Sequence, residues 1–315
     1  MPPAVAAGRL RGRSVLSDLD LDPADVTDLL ETAAWLKALR ARHIAHPYLA
    51  SKTLGLIFQH PSTRTRNAFQ AGMEQLGGHA TFLGASESQL TRGETLTDTA
   101  AIMSRYVDAI AARFARHADL ETFAAGASIP VYNALSERYH PIEALSDLLT
   151  LRERFGGLRG LKLAYVGDGN NVCHSLMLEA TAMGLAVAVA TPAAYRPATD
   201  VVAEAERRAV LSGGSLLLTN DPAAATTDAD AVYTDTHESM GEPENAAKRA
   251  ALAPFRVTSA LMALTAPDGV FMHCLPMHRG EEVDAEVADG PRSIVFDQAE
   301  HRLHMHKAVL LLTLG

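Results

Sequence analysis

Ser62-Thr63-Arg64-Thr65-Arg66 places three hydroxyls and two guanidinium groups in five consecutive positions. A short apolar run precedes it, Pro61 intervenes, and a helical pattern begins at Ser62 with Phe69, Met73 and Leu76 on one face. The unbonded N–H groups of a helix start attract an anion. Ser62, Thr63 and Thr65 add hydroxyl donors, and Arg64 adds a planar fork that matches phosphate. Helix capping accounts for Ser62 alone and leaves the arginines and the other hydroxyls unexplained. The segment points to a small phosphorylated ligand.

Five further segments carry chemistry-bearing side chains. Gly167-Asp168-Gly169-Asn170-Asn171 lies between a strand pattern and a helix pattern. A dinucleotide loop would be followed by an acidic residue at the end of the next strand, where this chain has Ala190-Thr191-Pro192. No nucleotide cofactor is expected, and the loop instead presents Asn171 at a strand's carboxyl end. Asp235 follows another strand, either as a carboxylate that holds an amine or as a solvated turn acid. His273-Cys274-Leu275-Pro276, with His278 and Arg279, raises zinc. Neither a thiolate pair nor a helix-spaced histidine pair accompanies it, so no metal is expected. Cys274 is then a thiol contact in a site or a small buried hydrophobe. His140 precedes Pro141 at a helix start, with Glu143 one turn on; it donates to a carbonyl oxygen or is a turn residue. Arg302, with His304, His306 and Lys307 near it, reads as a ligand arginine or as a solvated basic face.

The elements that must position these groups alternate along the chain. A helix starts at Asp22-Pro23, with Val26, Leu29, Leu30, Ala33 and Leu36 inward. Strand patterns cover 53–58, 80–83, 108–112, 130–132, 161–166, 185–190, 216–219, 231–234, 269–274 and 293–296. Helix patterns cover 95–106, 120–125, 141–155, 175–183, 197–211 and 300–314, and 84–93 is a polar loop. Such alternation predicts an α/β fold of two doubly wound parallel-sheet domains joined by interdomain helices. The expected boundaries are 1–148, with 300–315 packing back on it, and 149–299.

At 315 residues, two domains are the natural division. The net charge of −9 argues against general nucleic-acid binding. Only Cys173 and Cys274 are present, which excludes a disulfide framework and suits a reducing compartment. No apolar run is long enough to span a bilayer, and no signal-type apolar stretch follows the basic N-terminus. A cytoplasmic protein without membrane partners is expected.

In their order along the chain, the motifs Ser-Thr-Arg-Thr-Arg, His-Pro-x-x, Gly-Asp-Gly-Asn-Asn, Asp-x-x-x-Ser-Met-Gly and His-Cys-Leu-Pro resemble the aspartate/ornithine carbamoyltransferase family, from about Leu54 to Leu314. Ser-Met-Gly and His-Cys-Leu-Pro are the marks of its ornithine enzymes. The resemblance implies transfer of a carbamoyl group from carbamoyl phosphate to the δ-amine of L-ornithine, giving citrulline and phosphate in arginine biosynthesis. It implies that the first domain holds carbamoyl phosphate and the second the amino acid, with no cofactor and no metal. By the same resemblance Ser62, Thr63, Arg64 and Thr65 grip phosphate, and Arg113 and His140 polarise the carbamoyl carbonyl. Glu143, Leu275 and Arg302 also serve the donor. Asn171, Asp235, Ser239 and Met240 bind ornithine, and Cys274 lines the reacting point. Gln89 matches a residue lent to a neighbouring subunit, which implies a homotrimer. Arg113, His140, Asp235 and Cys274 form the implied catalytic set.

Departures from the family pattern fall at Glu143, usually Gln, and at His237, usually Trp. Gln59-His60 and His306 are smaller departures. Glu143 adds a negative charge near a phosphate, so either weaker donor binding or a raised Glu143 pKa is expected. Two alternatives accompany the ornithine reading: a carbamoyltransferase for another amine or amino acid, and a non-catalytic ligand-binding homologue.

Overall fold

Asp22 starts the first long helix, α1 (Pro23–Ala41), in the computed structural model, which describes residues 8–84, 88–238 and 245–315. Its carboxylate accepts from the N–H groups of Ala24 and Asp25, and the Asp25 carboxylate reaches back to the Asp22 N–H, a reciprocal cap. Val26, Leu29, Leu30, Ala33 and Leu36 are buried, as the spacing requires.

The chain divides into two units, Met1–Leu149 with Glu300–Gly315, and Thr150–Ala299. In the first, β1 (Thr53–Phe58), α2 (Thr63–Gln75), β2 (His79–Gly84), α3 (Leu96–Met103), β3 (Ala109–Arg113), α4 (His117–Gly126) and β4 (Val131–Asn133) follow one another. Their four strands are all parallel, in the order β2-β1-β3-β4. Leu54 pairs with Ala80 on one side and Ala109 on the other. β1 and β3 are the inner strands, and their near-continuous apolar runs are what burial on both faces demands. The order reverses between β1 and β3, so the crevice at their carboxyl ends is the topological place for a ligand.

Helix α5 (Pro141–Phe155) carries the chain across the division at residue 149. The second unit then runs β5 (Lys162–Val166), α6 (Asn171–Ala182), β6 (Ala186–Ala190), α7 (Thr199–Ser212), β7 (Ser215–Thr219), α8 (Pro222–Thr226), β8 (Ala231–Thr234), α9 (Ala246–Leu252), α10 (Ser259–Met262), β9 (Val270–His273) and α11 (Ala285–Ala288). Its five parallel strands lie in the order β7-β6-β5-β8-β9, reversing between β5 and β8. Val166, Val232, Phe271 and Val283 belong to its apolar core. Helix α12 (Val295–Leu314) returns the chain to the first unit, where Met305, Ala308 and Val309 are buried.

Residues 293–296 do not form the expected strand. Ser293 makes a single bridge to Phe271, and Val295 already belongs to α12. The Ile294 carbonyl accepts from the Gln298 N–H at 2.9 Å, which commits the backbone to a helix and leaves Phe296 74 % exposed. Helix α6 starts at Asn171 rather than at 175, because Asn170 caps it. The loop after β2 contains a 3-10 turn over Gln89–Arg92.

Candidate active site

At the carboxyl end of β1 the chain turns through Pro61 into α2. Ser62 occupies the cap position but makes no capping bond through its side chain. Thr63 is exposed, Ser62 and Arg64 are half-buried, and Thr65 is buried. Arg66 turns away: its guanidinium lies 3.5 Å over the Phe82 ring and bonds Gln70, so it braces α2 against β2. The anion-binding pattern therefore carries one arginine, not two.

Four polar groups from three other elements assemble in the same unit. Arg113 ends β3, His140 precedes α5, Glu143 lies one turn into α5, and Arg302 comes from α12. All four are buried. An Arg302 N–H donates to Thr65 Oγ1 at 2.6 Å, and the same nitrogen is 3.0 Å from Glu143 Oε2. His140 Nε2 faces that carboxylate oxygen at 3.3 Å. Arg113 donates to the Ala134 carbonyl at 3.1 Å, which fixes its fork. Burial and then the Arg302 charge bring Arg113 down to about 10, with Arg64 adding to the shift and Glu143 opposing it, so it stays cationic at neutral pH. Burial first, then Arg302, Arg113 and His306, push His140 well below the usual histidine value. It is a neutral imidazole, a hydrogen-bond donor rather than a charge. Gln89 is exposed at the start of its 3-10 turn.

The second unit assembles its groups in the same way at its own reversal point. Asn170 accepts from the Val172 and Cys173 N–H groups through Oδ1 and donates from Nδ2 to Asp235 Oδ2 at 2.7 Å. Tyr165 donates to Asn170 Oδ1. The other Asp235 oxygen accepts from the Thr236 N–H at 2.7 Å and from the Cys274 thiol at 2.9 Å. Asp235 is thus a buried, oriented carboxylate just past β8, and Cys274 stands beside it just past β9. Asn171 opens α6 and is buried. Leu275 has φ +60 and donates its N–H to His273 Nδ1. Ser239 and Met240 lie outside the described residues.

Asn170, the residue that holds Asp235, was not singled out in the sequence, although an Asn directly before a helix is a capping signal. The pairing of His273 Nε2 with Glu282 Oε1 at 3.2 Å, both wholly buried, had no linear signal. Burial would raise the Glu282 pKa, but the bonds from His273 and the His278 N–H prevail and hold it low.

Two clusters among the described residues have metal-ligand character. Asp235, His273 and Cys274 bring their ligand atoms within 4.8 Å of one another. Asp235 already accepts from the Cys274 thiol, the Thr236 N–H and Asn170, and His273 Nδ1 accepts from the Leu275 N–H. His278, Glu281 and Glu282 form the second cluster.

A family model described as the aspartate/ornithine carbamoyltransferase carbamoyl-P binding domain matches residues 13–153, and one described as the Asp/Orn binding domain matches residues 159–313. The chain is 50 % identical to the ornithine carbamoyltransferase of Pyrococcus abyssi over 97 % of each chain. It is 50 % identical to the anabolic ornithine carbamoyltransferase of Pyrococcus furiosus, covering 97 % of this chain and 98 % of that one. A solved structure of the Pyrococcus furiosus ornithine carbamoyltransferase aligns with a TM-score of 0.95, over 97 % of this chain and 98 % of that one. With both family models matched along nearly its whole length, and an arginine-hydroxyl cluster and an oriented carboxylate at the two sheet reversals, this chain belongs to the aspartate/ornithine carbamoyltransferase family.

Proposed function

We propose that this chain transfers the carbamoyl group of carbamoyl phosphate to the δ-amine of L-ornithine, releasing citrulline and phosphate in the biosynthetic direction, toward arginine. The observation that carries the reading is the Arg302–Thr65–Glu143–His140 network with Arg113 at its side, a set built for an anion and a carbonyl oxygen. In this reading Ser62, Thr63, Arg64 and Thr65 hold the phosphate at the start of α2. The neutral amine nitrogen bonds to the carbamoyl carbon, the bond from that carbon to the phosphate oxygen breaks, and the amine's proton ends on the departing phosphate. Charge that builds on the carbonyl oxygen meets Arg113, His140 and the Thr65 hydroxyl. Thr65 accepts from Arg302, which leaves its own O–H to donate. Leu275 completes the donor's surroundings.

Asp235, fixed by Asn170, holds an amino group of ornithine, and Asn171, Ser239 and Met240 complete the acceptor's contacts. Cys274 stands where the amine reacts. Holding donor and acceptor in one geometry supplies several kcal/mol of the barrier, on the order of the effective molarities of oriented reactions. We assign the division of labour accordingly: carbamoyl phosphate to the first unit, ornithine to the second. We also propose a homotrimer, in which the exposed Gln89 reaches a neighbour's site, and a cytoplasmic location, supported by two cysteines that form no disulfide.

A different acceptor is the second reading, and one observation favours it. His237, where the family tends to have Trp, is 3 % exposed; burial pushes its pKa below the usual histidine value against the pull of Glu282, Glu281 and, more weakly, Asp235. Both readings are separated by incubating the protein with carbamoyl phosphate and ornithine, putrescine, lysine or acetylornithine, and measuring ureido product and phosphate. Ornithine should give the highest kcat/KM. Turnover confined to another amine would establish the second reading, and no product with any amine would leave a binding protein. Sedimentation of the same sample should give three chains; a monomer would remove Gln89 from the site.

A further inference from the structure

His278, Glu281 and Glu282 lie in one short segment that follows Cys274 and Leu275, and none of them takes part in the transfer chemistry above. Their ligand atoms are all within 4.8 Å of one another. An imidazole and two carboxylates on one spot suit a borderline metal ion better than calcium or magnesium, which take oxygen ligands.

A second observation points the same way. Glu282 is wholly buried, and its Oε1 is engaged by the His278 N–H and faces His273 Nε2 at 3.2 Å. Its Oε2 is also buried and has no hydrogen bond among the described residues. The His278 ring is the group this oxygen faces, with Nδ1 at 3.7 Å. That is too long for a hydrogen bond. It is close to the separation of two ligands on one ion, since bonds of about 2.0–2.1 Å at a tetrahedral angle set the ligands roughly 3.4 Å apart.

Arg279 is committed to Asp289 at 2.6 Å and Arg256 to Asp284 at 3.2 Å, so neither arginine neutralises this pair of carboxylates. The groups that do feel the pair are His273, 3.2 Å from Glu282, and His237, which burial pushes toward its neutral form. His278 and Glu281 are exposed, which gives an ion an entry path and room for water at its remaining positions. His273 supplies the outer support that orients a ligating carboxylate.

We infer that His278, Glu281 and Glu282 form a binding site for one first-row divalent metal ion of the zinc class. The site is distinct from the Asp235–Cys274 pair. A bound ion ties the His278–Glu282 segment to itself and, through His273, stiffens the turn that presents Cys274 and Leu275.

The test uses the full-length protein, stripped of metal and titrated with Zn²⁺ by calorimetry and with Co²⁺ by absorption. One ion per chain is expected, with a Tm raised by Zn²⁺ and no thiolate-to-cobalt charge-transfer band. His278→Ala and Glu281→Gln change exposed side chains, so the metal-free Tm should hold while affinity drops by roughly tenfold or more in each. Cys274→Ser should bind as tightly as the parent. Unchanged affinity in either variant overturns the assignment, as does the absence of any bound ion. Loss of binding in Cys274→Ser, with a thiolate band in the parent, overturns it in favour of the Asp235–His273–Cys274 cluster.

Discussion

In the proposed function, Glu143 is the residue on which the donor site turns. One of its oxygens receives Arg302 at 3.0 Å and faces His140 at 3.3 Å, so the carboxylate offsets a cation that would otherwise serve the incoming anion. Removing that charge while keeping the shape should strengthen donor binding. Glu143→Gln is expected to lower the carbamoyl phosphate KM by roughly five- to thirtyfold, the effect of about 1–2 kcal/mol from one charge a few ångströms away at an intermediate dielectric. The same change should lower Tm, because Arg302 loses its buried partner. An unchanged KM in steady-state assays would show that Glu143 does not oppose the anion. Ser62 makes a complementary case. A serine cap replaced by alanine ordinarily costs about 1 kcal/mol, but this hydroxyl makes no capping bond. Ser62→Ala should therefore leave Tm almost unmoved and raise the carbamoyl phosphate KM. A large drop in Tm with no kinetic effect would return Ser62 to a purely structural role.

At the scale of elements, short loops at the two sheet reversals do the positioning. Gly169 allows the loop after β5 to pass the next segment: a Cβ there would lie 2.3 Å from the Pro197 nitrogen and 2.6 Å from the Arg196 carbonyl carbon. Gly169→Ala must displace that backbone or Asn170, and Asn170 holds Asp235. We expect at least a tenfold rise in ornithine KM with little change for carbamoyl phosphate, on the scale of a lost charge-assisted hydrogen bond of about 1.5–3 kcal/mol. Equal KM values for ornithine in the variant and the parent would refute the link. These loops also mark what a sequence can disclose. Ser62 to Thr65 and Asp235 were legible because each sits where a strand pattern ends, and a parallel sheet places its ligands there. Arg66 was misread because Phe82, on the neighbouring strand, claims it. The sequence points to Asn171 rather than Asn170, since which of two adjacent amides caps the helix depends on the backbone. Residues 293–296 include the apolar run Ile294-Val295-Phe296, which reads as a short strand, yet a helix-type bond from Gln298 decides their form. For Arg302 the residues left a ligand arginine and a solvated basic face both open, because Thr65 and Glu143, which it meets, lie far away in sequence.

Across the whole chain, buried histidines set the response to acid. His304 and His306 are each brought down to about 3 by burial, helped for His304 by Lys307, Arg40, His301 and Lys37, and for His306 by Arg302. Glu300 faces His304 at 3.4 Å without reversing the shift. Both folded pKa values lie below the unfolded value near 6.5, so the unfolded chain binds protons first as pH falls. Stability is then full above about pH 6.5 and declines below it, by roughly 1.4 kcal/mol per pH unit for each histidine. Tm should fall steeply between pH 6.5 and 5, and His304→Gln should flatten the slope; a Tm flat across that range would contradict the assignment. The division of the chain has a consequence in time as well as in space. Unit 1 is made of residues from both ends, and Arg302 lies in its second piece. A ribosome adding roughly 5–20 residues per second needs about 8–30 s to make the intervening unit. Through that interval Thr65 and Glu143 exist without the Arg302 guanidinium, so the proposed anion site stays unfinished in the nascent protein until α12 is made.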